Sequence, residues 1–149
     1  MNLTDRLALH ALSRPEHPAL AWPEGQIGYR ALLQQVEAAA ALLQQTGVEV
    51  LALDVENAPA WVVLDIAAMQ LGICLIPLPP FFSPGQLHHV LRHSGTQAVL
   101  TDDPQRLRER LGEHLVEAES SLQVAASQLA WIETAAAVRG EEKKLLPEG

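Results

Sequence analysis

His89 and His93 stand four residues apart, the spacing at which two imidazoles on one helix face can hold a metal ion. The residues between them, Val90-Leu91-Arg92, include no glutamate of the zinc-protease kind, and no nearby acid supplies a third ligand. The pair therefore reads as exposed helix surface. Two carboxylates interrupt apolar stretches, Asp54 and Asp65. Asp54 closes the run Val48–Val55, where an α/β sheet offers a carboxylate to a ligand. Capping, or pairing with a nearby group, is its simpler role. The single cysteine, Cys74, sits within Ile73-Cys74-Leu75-Ile76, which predicts a buried core thiol. A reactive one needs an accessible, electropositive setting. Ser83 precedes Pro84-Gly85-Gln86, a helix-capping sequence, with no G-x-S-x-G elbow around it. None of these residues is assigned as catalytic, cofactor-binding or metal-binding.

Phosphate recognition needs clustered glycines, because only they let backbone N–H groups close around an anion. The glycines fall at 25, 28, 47, 72, 85, 95, 112, 140 and 149, in neither of the G-x-G-x-x-G and G-x-x-x-x-G-K-[ST] patterns. Independent nucleotide binding is not expected. Arg106, Arg108 and Arg110 alternate with Asp102, Asp103 and Glu109 nearby, which reads as a solvated helix face. Phe81-Phe82, Trp61 and Trp22 read as packing between sheet and helices or at a domain interface.

Around these residues stands a chain of 149 residues, 48% hydrophobic and 19% charged, enough for one domain with a buried core. A net charge of −8 argues against a nucleic-acid surface, which needs a basic patch. One cysteine excludes an intramolecular disulfide and a multi-cysteine zinc site. The longest apolar stretch, Trp61–Pro80, is broken by Asp65, Gln70, Gly72 and three prolines, so no transmembrane segment is expected. No secretory signal is read at the N-terminus, and a cytoplasmic location is expected.

Periodicity then orders the elements. Residues 3–13 read as a helix, and Ala19–Trp22 with Ile27–Tyr29 as a short hairpin turning at Pro23–Gln26. A helix follows over Arg30–Gln45, with Leu33, Val36, Ala40 and Leu43 on its apolar stripe and Gly47 as its stop. Val48–Val55 reads as a buried strand, Asn57 as the cap of the apolar helix Trp61–Leu71, and Ile73–Ile76 as an interior parallel strand. Ser83–Ser94 is a helix, Ala98–Thr101 a strand, and Asp103 opens a helix reaching about Leu111. Leu122–Ala125 is a further strand candidate. Ser127–Val138 reads as a helix capped by Ser127, although Leu129–Ile132 equally suits a sheet. Strands alternating with helices predict an α/β fold: a mostly parallel sheet with helices on both faces, preceded by a short β-hairpin. Residues 1–139 form the domain, and 140–149 read as a linker cut short.

The order of these signals resembles the N-terminal part of the AMP-dependent synthetase and ligase superfamily, the adenylate-forming enzymes. Residues carrying the likeness are Pro18–Ala21, Gly25–Tyr29, Leu42–Gly47, Asn57 with Trp61-Val62-Val63, Leu71–Leu78, and Ser83–Ser94 with Ala98–Asp102. Gly28 stands where the family usually has Thr. The likeness implies an acyl-CoA synthetase-like ligase of fatty acid metabolism, with ATP, Mg and coenzyme A as cofactors of the parent. The family's Ser/Thr/Gly-rich phosphate loop, its ribose-binding aspartate and its C-terminal lysine are absent from these residues. No catalytic residue is therefore carried over, and the chain alone is expected to be inactive. The segment Leu145–Gly149 resembles what precedes the missing loop. Expected partners are the remainder of the parent and, through exposed apolar surface, a second copy. The alternative is a free-standing α/β binding or regulatory domain. An unrelated enzyme using Asp54 or His89 and His93 is a third reading.

Overall fold

A computed structural model describes residues 2–111, 115–125 and 127–134. Helix α1 (Leu3–Ser13) starts at a reciprocal capping box, in which Asn2 accepts from the Asp5 N–H and Asp5 accepts from the Asn2 N–H. Strands β1 (Pro18–Trp22) and β2 (Gly25–Gly28) form the expected antiparallel hairpin, a separate two-stranded sheet. Helix α2 (Tyr29–Thr46) follows and buries Leu32, Val36, Ala39, Ala40 and Leu43. Gly47 ends it in the left-handed region at φ 69°, where a Cβ is strained.

The main sheet has the order β4-β3-β5-β7-β6. Strands β3 (Val50–Asp54), β4 (Cys74–Pro77) and β5 (Ala98–Thr101) run parallel, joined through helices α3 (Ala58–Leu71) and α4 (Pro84–Ser94). Helix α5 (Pro104–Leu111) leads to β6 (Leu115–Val124) and β7 (Ser127–Thr134), which pair antiparallel, with β7 also antiparallel to β5.

Side chains alternate across this sheet, as the pleat requires. Leu51, Leu53, Ala98, Leu100, Leu129 and Trp131 join the core beneath α1, α2 and α3. Ala52, Val99, Ala130 and Ile132 join the opposite core, with Leu87 and Leu91 of α4 and Leu107 and Leu111 of α5. Helices thus cover both faces, and the fold is the α/β arrangement anticipated from the sequence.

Two expectations are corrected. Ser127–Thr134 is a strand rather than the start of a helix to Val138, because Leu129–Ile132 feeds both cores in alternation. A strand buried on both faces is a continuous apolar run, which periodicity does not separate from a helix. Residues 135–139 and the linker at 140–149 lie outside the described residues. Ile73–Ile76 is not interior either. Strand β4 is the outer strand of the described sheet, paired only with β3, and Cys74 at its start is exposed.

Candidate functional site

The sheet's connections define one crevice. After β3 the chain turns to α3 on one face, and after β5 to α5 on the other. Between the carboxyl ends of two such strands lies the place where open α/β sheets bind ligands. Here Asp54 ends β3 opposite Thr101, which ends β5.

The crevice is filled by the chain's own charges. Asp54 is 6% exposed. Its Oδ2 accepts from Thr101 Oγ1 at 2.8 Å and from Arg106 Nη2 at 3.0 Å, and its Oδ1 accepts from Arg110 Nη1 at 3.2 Å. Arg106 Nη2 also reaches the Asp54 carbonyl at 3.0 Å and Asp102 Oδ1 at 2.8 Å. Arg110 Nη2 donates to the Pro79 carbonyl at 2.6 Å, which ties α5 to the loop after β4. Helix α5 aims both guanidiniums the same way because they are four residues apart, and Asp103 opens it by accepting from the Arg106 N–H at 3.0 Å.

Asp102 closes the other side. Its Oδ2 accepts from the backbone N–H groups of Glu56 at 2.8 Å and Asn57 at 3.0 Å. Burial pushes this carboxyl up. The hydrogen bond from Arg106 and those from Glu56 and Asn57 outweigh burial and hold it below its ordinary value. Burial likewise works against the Arg106 cation, while the hydrogen bonds it donates to Asp102 and Asp54 hold its pKa above the usual arginine value.

Beside this network is a cavity of about 300 Å³, walled by Val55, Trp61, Pro77–Pro80 and the two guanidiniums. Three N–H donors around the start of α3 are engaged: Glu56 and Asn57 by Asp102, Ala60 by the Asn57 side chain at 3.0 Å. They do not offer the donor cradle a nucleotide phosphate needs. Asp54 and Asp102 are committed to guanidiniums, whose charge opposes a magnesium ion. These residues do not fit ATP or Mg.

The remaining candidates separate. Asp54 has the pairing role read from the sequence, whereas Asp65 is half-buried on α3. Ser83 caps α4, accepting from the Gln86 N–H at 3.1 Å while Gln86 Oε1 accepts from the Ser83 N–H at 2.8 Å. Phe82 packs on the core under α4, but Phe81 is 81% exposed, its ring edge-on to Phe82. Trp61 lies between its core and the cavity, and Trp22 is half-buried on the hairpin. His89 and His93 are exposed, with ring centroids 4.0 Å apart. The solvated-face reading holds for exposed Arg108 and Glu109 and fails for Arg106 and Arg110, which turn inward to Asp54. The local signal was the i,i+4 pair of Asp102 and Arg106. The partnership with Asp54 spans 52 and 56 residues and leaves no local trace.

Comparison with known proteins agrees with this architecture. Tyrocidine synthase 2 of Brevibacillus parabrevis is 29% identical over 90 residues, 58% of this chain and 2% of that protein. The Klebsiella oxytoca NpsA N-terminal subdomain, solved with 3-hydroxyanthranilyl-AMSN, superposes with a TM-score of 0.61 at 24% identity, over 70% of this chain and 28% of its own. A mutant coronafacic acid ligase from Pectobacterium brasiliense gives a TM-score of 0.65 at 20% identity, over 74% of this chain and 22% of its own. The chain thus spans a small part of the proteins it matches. A sequence model described as "AMP-binding enzyme" matches residues 7–147, nearly the whole chain. By that match, and by a fold shared with the N-terminal portions of adenylate-forming proteins, the chain belongs to the AMP-binding enzyme family.

Proposed function

We propose that these residues are the N-terminal structural layer of a larger carboxylate-adenylating ligase and supply no catalytic group of their own. One observation carries this reading: the crevice at the carboxyl ends of β3 and β5 is closed by Asp54, Asp102, Arg106 and Arg110, in a chain whose family binds AMP. The role of the layer is to hold the sheet and the cavity beside Trp61 as one wall for the remainder of the enzyme. The parent joins a carboxylic acid to ATP, releasing pyrophosphate and forming an acyl-adenylate. A thiol then displaces AMP to give a thioester, and in the acyl-CoA synthetase-like reading that thiol is coenzyme A. ATP, Mg and coenzyme A are held by residues other than these. The proposed setting is the cytoplasm, and copies associate through exposed apolar side chains such as Leu12 and Phe81.

A second reading, a free-standing binding domain, is favoured by the chain's covering both faces of its own sheet. ATP–pyrophosphate exchange with fatty, aryl and amino acids tests the proposal. The layer alone gives no exchange, while a polypeptide that continues through the family's phosphate loop does. Exchange by these residues alone overturns it. An in-frame stop directly after Gly149, with no loop encoded downstream, favours the binding domain.

A further inference from the structure

We propose that His89 and His93 form a two-imidazole site for a divalent transition-metal ion on the solvent face of α4. The side chains are four apart on a helix, with ring centroids 4.0 Å apart and planes inclined by 39°. Two cis imidazole nitrogens on one ion must approach to about 3 Å, given metal–nitrogen bonds of about 2.0–2.1 Å. The rings already lie against each other, so rotation about the side-chain torsions suffices to turn one nitrogen of each toward a shared ion.

The helix beneath them is a firm support. Its start is fixed by the Ser83–Gln86 capping box, and Leu87 and Leu91 are buried on the opposite side. His93 lies in the last turn, where the negative end of the helix dipole favours a cation. Exposure spares the ion most of its desolvation cost. The neighbouring charge on the helix is Arg92, which weakens the site without blocking it. No group of three or more His, Cys, Asp or Glu suited to a metal exists among the described residues, so water completes the coordination. Such an open site favours borderline ions in the order copper above nickel and zinc, not magnesium.

The test is calorimetric titration of the chain with Cu²⁺ and with Ni²⁺ in a buffer that does not chelate metals. One equivalent is expected to bind. His89→Ala and His93→Ala, each removing one arm of the chelate, are expected to weaken it about a hundredfold or more. His88→Ala and His17→Ala are expected to leave it unchanged. Sub-stoichiometric Cu²⁺ should broaden the ring resonances of His89 and His93 before those of other histidines. Both variants lie on exposed positions, and circular dichroism checks that α4 persists. Wild-type affinity in both single variants overturns the assignment, as does first broadening at any other histidine.

Discussion

Asp54 accepts from two guanidiniums and a hydroxyl while almost wholly buried. Removing it leaves Arg106 and Arg110 facing each other without their shared counter-charge. Asp54→Ala is therefore expected to destabilise the fold by about 3 kcal/mol, read from urea unfolding. A loss below about 1 kcal/mol would show that solvent screens the pair. Asp102 gives a pH signature. Its carboxyl is held below the ordinary 3.8, so the stability it contributes is complete above that value and is lost as pH falls through the lower folded value. Asp102→Asn should flatten this acid limb of the unfolding midpoint and leave the slope above pH ~5 unchanged. Asp54 was legible as a carboxylate needing a partner, since it interrupts an apolar run. Its partners were not, because Arg106 and Arg110 lie more than fifty residues away and carry acids close in sequence that mimic a solvated face.

At the scale of elements, local chemistry decided what could be read. The boundaries set by caps were visible: Asn57 before α3, the Ser83–Gln86 box before α4, and Gly47 after α2 all act as their residue types dictate. Ser83→Ala is expected to cost about 1 kcal/mol and to speed amide exchange in the first turn of α4. Unchanged exchange there would mean that packing of Leu87 and Leu91 holds the helix start alone. What escaped was set by neighbours rather than by the segment itself. Leu129–Ile132 is a strand because β5 and β6 flank it, and β4 is exposed because nothing described pairs with its outer side. Leu129 is fully buried, so Leu129→Ala is expected to cost about 3 kcal/mol. A helical Ser127–Thr134 would instead show α-helical carbon shifts by NMR.

For the whole molecule, the proposed function implies a division of labour, in which this layer braces the remainder of a ligase and keeps its own crevice shut. Leu12, 83% exposed, and Phe81 leave apolar surface outside the two cores, so sedimentation at rising concentration should show self-association. Leu12→Glu with Phe81→Glu should reduce it, and a monomer at every concentration would refute that contact. The most direct test of the central claim is an NMR titration of the chain with Mg-ATP, following the amides of Glu56, Asn57 and Asp102. No saturable shift is predicted at millimolar nucleotide, because Asp102 already accepts from the first two. A saturable shift at those amides, abolished by Arg106→Ala, would show that the crevice opens to nucleotide and would contradict the account.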